Sequence, residues 1–235
     1  REKYMSVNPS EAKLFELFAA QAAANPPRPL TEQTLNDFRA GTGVFLQYAG
    51  KHADIKYRDE FVPARDGYSI PIRIFNSDLT HVAPVIVMYP GCGYVFDLFE
   101  ANSIACSRIA KYLGIKVVLV NYRLAPEYPL PIAIYDGYDA TKYIATHAEQ
   151  FQIDTSKIFI IGLSSGANCA AVVANLARSD HQFSIHHQIL LNGVFDFSQS
   201  SHGYDEYEAE DKLCSREVHT FIINQYGFNP ADYKN

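Results

Sequence analysis

Between residues 55 and 77 apolar and polar positions alternate with a period of two. IKYRDEFVP and SIPIRIFNS, joined by ARDGY, read as a hairpin of two strands. The pattern then changes to short continuous apolar runs: PVIVMYP (84–90), GIKVVLVNY (114–122), KIFIIG (157–162) and HQILLNG (187–193). Runs of that kind belong to strands buried on both faces. Helical spacing fills the gaps over residues 100–113, 131–149 and 165–178. Strands alternating with helices predict an α/β fold, a mostly parallel sheet with helices on both faces.

Helical pattern also flanks this core. SEAKLFELFAAQAAA (10–24) puts Leu14, Phe15, Leu17, Phe18 and Ala22 on one face behind Ser10, and NPPRP ends the run. A second helix follows Thr31, with Leu35, Phe38, Phe45, Leu46 and Tyr48 apolar and a break at GTG (41–43). After the last apolar run, SQSSHGYDEYEAED is polar and acidic. SREVHTFIINQYG then places Val218, Phe221, Ile222 and Tyr226 at helical spacing behind Ser215. The organisation expected is a helical segment over 1–50, a core over 51–197 and a second helical segment over 198–235.

Composition narrows the function classes. At 235 residues and 48% hydrophobic, the chain suits one large packed domain or one domain plus a cap. No run approaches the roughly 18 apolar residues of a membrane span, and the N-terminus shows no signal-peptide core. With a net charge of -6 and scattered Lys and Arg, there is no basic stripe for nucleic acid. Cys92, Cys106, Cys169 and Cys214 have no C-x-x-C spacing, so neither a zinc site nor a disulfide framework is signalled, and a cytoplasmic setting is expected. No metal or cofactor is implied.

The chemistry concentrates at two turns. Gly162-Leu163-Ser164-Ser165-Gly166 fits G-x-S-x-G between a strand and a helix, where a nucleophile on a tight turn needs small neighbours. The helix N-terminus behind it favours developing negative charge. These five residues also fit a close helix–strand contact without chemistry. Just after the third strand, Pro90-Gly91-Cys92-Gly93-Tyr94 could bring backbone N–H groups close to a reacting carbonyl. An ordinary Pro-Gly turn is the alternative at that position. Neither phosphate-binding glycine pattern is present.

Three segments in order resemble the hormone-sensitive-lipase-like carboxylesterases of the α/β-hydrolase fold. Asn121-Tyr122-Arg123-Leu124-Ala125-Pro126-Glu127, with Tyr128-Pro129-Leu130-Pro131 and Asp136 after it, resembles D-Y-R-L-A-P-E…F-P-A…D. GLSSGAN (162–168) resembles G-D-S-A-G-G-N, and YPGCGYV (89–95) resembles Y-H-G-G-G-x-V. The resemblance implies Ser164 as nucleophile, and oxyanion donors from the N–H groups of Cys92, Gly93 and Ser165, with Gly91 shaping the turn. It also implies a buttressing role for the 121–136 block and an N-terminal helical cap.

There are departures. Pro90 stands for a histidine, Cys92 for a glycine and Leu163 for an acidic residue. Cysteine at 92 would be strained if that position required positive φ.

A serine needs a base, and in this fold the order is Ser, acid, His. His181, His186, His187, His202 and His219 follow Ser164 without a motif that assigns them, and Asp196 follows a strand without the triad role in the family. The triad acid and histidine are therefore unassigned and expected beyond Asn235, together with the last strands of the sheet. The 235 residues alone should turn over little or no ester. The expected activity is hydrolysis of short or medium acyl esters, the partner a small-molecule ester, with a homodimer left open. A hydrolase-fold protein that binds a small ligand without catalysis is the alternative.

Overall fold

The computed structural model describes residues 31–41, 46, 49–76, 80–207 and 215–228. The helix expected over 10–24, and Phe45, Tyr48 and Cys214, lie outside the described residues. Among the described elements, helix α1 (Glu32–Gly41) precedes the hairpin β1 (Tyr57–Pro63) and β2 (Ser69–Phe75). There follow β3 (Ala83–Tyr89), α2 (Phe99–Leu113), β4 (Lys116–Val120), α3 (Ile132–Thr146), α4 (Ala148–Phe151), β5 (Ile153–Leu163) and α5 (Ser165–Asp180). The described chain ends with β6 (His187–Leu191), α6 (His202–Tyr207) and α7 (Arg216–Asn224).

These strands form one sheet in the order β1-β2-β4-β3-β5-β6. The hairpin pairs antiparallel within itself and with β4, through Ile72↔Val120 and Phe75↔Val117. The other pairings, β3 with β4, β3 with β5 and β5 with β6, are parallel. Alternation along each strand explains the continuous apolar runs. Val85, Val87, Val118, Val120, Ile158 and Ile160 belong to one buried cluster, which includes residues of α3 and α5. Ile86, Met88, Val117, Leu119 and Ile161 point the other way, into a cluster with Cys106 and Ala110 of α2. A strand apolar on both faces needs a helical layer on each side, and the sheet has both.

Differences from the expected elements are small. The helix expected over 131–149 is two, α3 and α4, and β5 begins four residues before KIFIIG. β6 stands at the sheet edge with Ile189 and Leu191 exposed.

The topology places a crevice. From β3 the chain steps to β4 on one side, then crosses back over β3 to reach β5 on the other side. Strand order therefore reverses at β3, and ligands of open α/β sheets bind beyond strand C-termini at such a switch point. Tyr89 pairs with Gly162 at the last register position of β3 and β5, so the two glycine-containing turns leave the sheet side by side.

Candidate active site

Ser164 sits between β5 and α5 with φ 53° and ψ -121°. A non-glycine residue in this region is strained by about 1–3 kcal/mol and persists only where its surroundings dictate it. Here the N–H of Ser164 donates to Leu191 O at 2.8 Å, and its own carbonyl accepts from the N–H of Ala167 at 2.9 Å. Two glycines let the turn close. A Cβ at Gly162 would lie 2.0 Å from Gly166 O, and one at Gly166 would lie 2.2 Å from Tyr89 O. The helix thus abuts both the strand that precedes it and the neighbouring strand.

The loop after β3 rests on this elbow, since a Cβ at Gly91 would meet Leu163 O at 2.7 Å. Its left-handed residues are Gly93 and Tyr94, with φ 59° and 56°. Cys92 is not among the positive-φ residues, so cysteine replaces glycine there without backbone strain.

Side chains from distant elements pin the loop. Tyr122 Oη donates to Pro90 O at 2.5 Å and lies 3.1 Å from Cys92 Sγ. Tyr94 Oη donates to Asn168 Oδ1 at 2.9 Å, and Asn102 Oδ1 accepts from the Gly91 N–H at 3.4 Å. From α1, Arg39 donates to Val95 O at 2.9 Å, to Ala125 O at 2.6 Å and to both carboxylate oxygens of Glu127. The 121–136 block therefore touches the loop directly. Within it Arg123 is paired with the fully buried Asp136 at 2.7 Å, and the Ala125 N–H donates to Tyr94 O at 2.8 Å.

Among the proposed donors, the Gly93 and Ser165 N–H groups have no acceptor among the described residues. The Cys92 N–H instead donates to Ser165 Oγ at 3.1 Å. Burial pushes the Cys92 thiol up to about 11, so it stays protonated at neutral pH. A Cβ at Gly93 would lie 3.3 Å from Ile222 of α7 and 3.7 Å from Phe96, both partly buried, so the neighbours of the loop at this point are apolar.

No described histidine is hydrogen-bonded to Ser164. His181 caps the far end of α5, and His186 and His187 pack on Phe159 at the opposite end of β6 from the turn. His202 begins α6, and His219 Nδ1 is 2.6 Å from Tyr204 Oη. Asp196 is exposed, and its carboxyl is held below the ordinary value by hydrogen bonds from Ser198 and then Ser200. The described residues contain no cluster of three or more His, Cys, Asp or Glu that could hold a metal ion. None of their helices is long and apolar enough to cross a membrane.

Arg39, Asn102 and Ile222 are the contributors that the sequence did not single out for the site. Each reaches the turns from another element, and no local pattern marks it.

A family model of the alpha/beta hydrolase fold matches residues 76–235. The chain belongs to this family. Its relatives include an ethyl acetate hydrolase from Pseudomonas putida, 26% identical over 97% of this chain and 73% of that protein. A carboxylic ester hydrolase of Mycobacterium tuberculosis, LipN, is 28% identical over 77% of this chain, which spans half of that relative's length. Among solved structures, an esterase from Pyrobaculum calidifontis superposes with a TM-score of 0.83 at 27% identity, covering 97% of this chain and 72% of that one. In this α/β-hydrolase, G-x-S-x-G is thus the strand-to-helix turn of the fold, and the glycine-containing loop after β3 lies beside it.

Proposed function

We propose that this α/β-hydrolase cleaves carboxylic esters of short or medium acyl chain through an acyl-enzyme on Ser164. The carrying observation is the strained Ser164 backbone between two glycines that have no room for a side chain, at the C-terminal edge of the sheet. On this reading Ser164 Oγ attacks the ester carbonyl and the leaving alcohol departs. Water then releases the acid from the acyl-serine. The tetrahedral oxygen accepts from the N–H groups of Gly93 and Ser165, with the Cys92 N–H as a third donor once it is released from Ser165 Oγ, while Gly91 gives the loop its close approach to the elbow. The dipole of α5 adds to the same field.

Apolar Ile222 and Phe96 beside Gly93 support an acyl chain rather than a charged group there. The ethyl acetate hydrolase among the relatives supports the short end of the range. The base that Ser164 needs is unassigned among the described residues. The relatives named above are hydrolases, which does not favour a non-catalytic binder. A cytoplasmic setting is part of the reading, supported by three buried free thiols. Sedimentation velocity reads out whether two copies associate.

The test uses the natural polypeptide that carries this chain, with p-nitrophenyl acetate and butyrate. Turnover is expected, and Ser164→Ala should lower kcat at least about 1,000-fold, as loss of a serine nucleophile does. An alanine variant that kept the rate would remove Ser164 from the chemistry.

A further inference from the structure

Ser165 enters the reading above only through its backbone, yet its side chain acts on the same site. The residue is buried, and its hydroxyl accepts the Cys92 N–H at 3.1 Å. One of the three donors carried over to the oxyanion is therefore occupied by a side chain of the protein itself. We propose that Ser165 is a positioning residue that keeps the Cys92 donor closed, so that the oxyanion hole works with two open N–H groups and gains the third only when the hydroxyl turns away. The proposal rests on the reading of Ser164 as nucleophile.

The alternative role for this bond, holding the loop in place, is already filled. Tyr122 fixes Pro90 O, Tyr94 is tied to Asn168, Asn102 meets the Gly91 N–H, and Arg39 holds Val95 O. None of these contacts passes through the Ser165 hydroxyl. Alanine at 165 is smaller than serine, so it removes the acceptor without crowding the elbow or releasing the loop. It also leaves the Ser165 N–H position intact as a donor. A hydroxyl that must leave its partner during the reaction raises the barrier by the net worth of one hydrogen bond, and the rate changes by the same factor.

The experiment compares the natural polypeptide with its Ser165→Ala and Ser164→Ala variants, by steady-state ester hydrolysis and by amide exchange followed by NMR. In Ser165→Ala, kcat is expected to rise about fivefold with KM within about twofold, because the freed donor acts on the transition state. The Cys92 amide should exchange at least about tenfold faster, while the Val95 and Phe96 amides, which bond to Cys92 O, keep their rates.

An unchanged or lower kcat alongside Ser164-dependent turnover overturns the proposal and leaves the hydrolase reading standing. So does an unchanged Cys92 amide, or faster exchange spread over Val95 and Phe96, which marks a general loosening. Absence of Ser164-dependent turnover in both proteins removes the hydrolase reading, and this proposal falls with it.

Discussion

The two turns that meet at the switch point are held by opposite means. The elbow at 162–166 is fixed by what it lacks: at Gly162 and Gly166 any side chain would collide with backbone. Among the described residues, the long-range tie from Ser164 is a backbone hydrogen bond to Leu191. The loop at 90–95 is fixed by what reaches it. Side chains from α1, α2, α5 and the segment after β4 each supply a bond. A turn set by excluded volume tolerates no added atom but depends on few partners. One set by pins can lose one and loosen by degrees.

Adding a methyl to the elbow is the largest perturbation of this contrast. Gly162→Ala puts Cβ 2.0 Å from a backbone oxygen that cannot swing away. The variant should lose at least about 3 kcal/mol of stability in chemical denaturation, as overpacking against backbone does. Whatever remains folded should hydrolyse esters at least about 100-fold more slowly if Ser164 is the nucleophile proposed above, since Ser164 is displaced. A stability within about 0.5 kcal/mol of the parent would show that the elbow is not set by sterics.

Removing one pin is milder. Arg39→Ala deletes the bonds to Val95 O, Ala125 O and Glu127 together, for an expected loss of about 1–2 kcal/mol. The kcat should fall about tenfold with the loop less well placed. Equal kcat in the variant would mean that the remaining pins suffice, sharpening the contrast toward redundancy.

The smallest effect is pH-dependent. Hydrogen bonding from Arg39 holds the Glu127 carboxyl below its ordinary value of 4.5. A depressed folded-state value contributes stability that is present above the unfolded value and lost as pH falls through the lower folded one. Glu127 is half exposed, so the contribution is a few tenths of a kcal/mol after solvent screening. Glu127→Gln should flatten that part of the stability profile below about pH 4.5, measured by thermal unfolding across pH.

Much of this was readable in the linear pattern, for reasons that differ between regions. The strands of the core were legible because burial on both faces leaves no polar position in a run such as VIVMY. The elbow was legible because its steric demand falls on residues four apart. Cysteine at 92 would be strained only at positive φ, and that condition is not met, because the left-handed conformation falls on Gly93 and Tyr94. Nothing in PGCGY says which of its residues turns, since that depends on where Tyr94 finds Asn168, 74 residues away.

By itself, then, the sequence determined the α/β layering, the two glycine turns and the serine between them, because hydrophobic period and steric minimum are properties of neighbouring residues. Only the tertiary structure decided that the turns stand side by side at β3 and β5, that Arg39 clamps the loop, and that the Ser165 hydroxyl occupies the Cys92 donor. Each of those depends on strand order and on contacts across dozens of residues, where the geometry is set by how the layers pack.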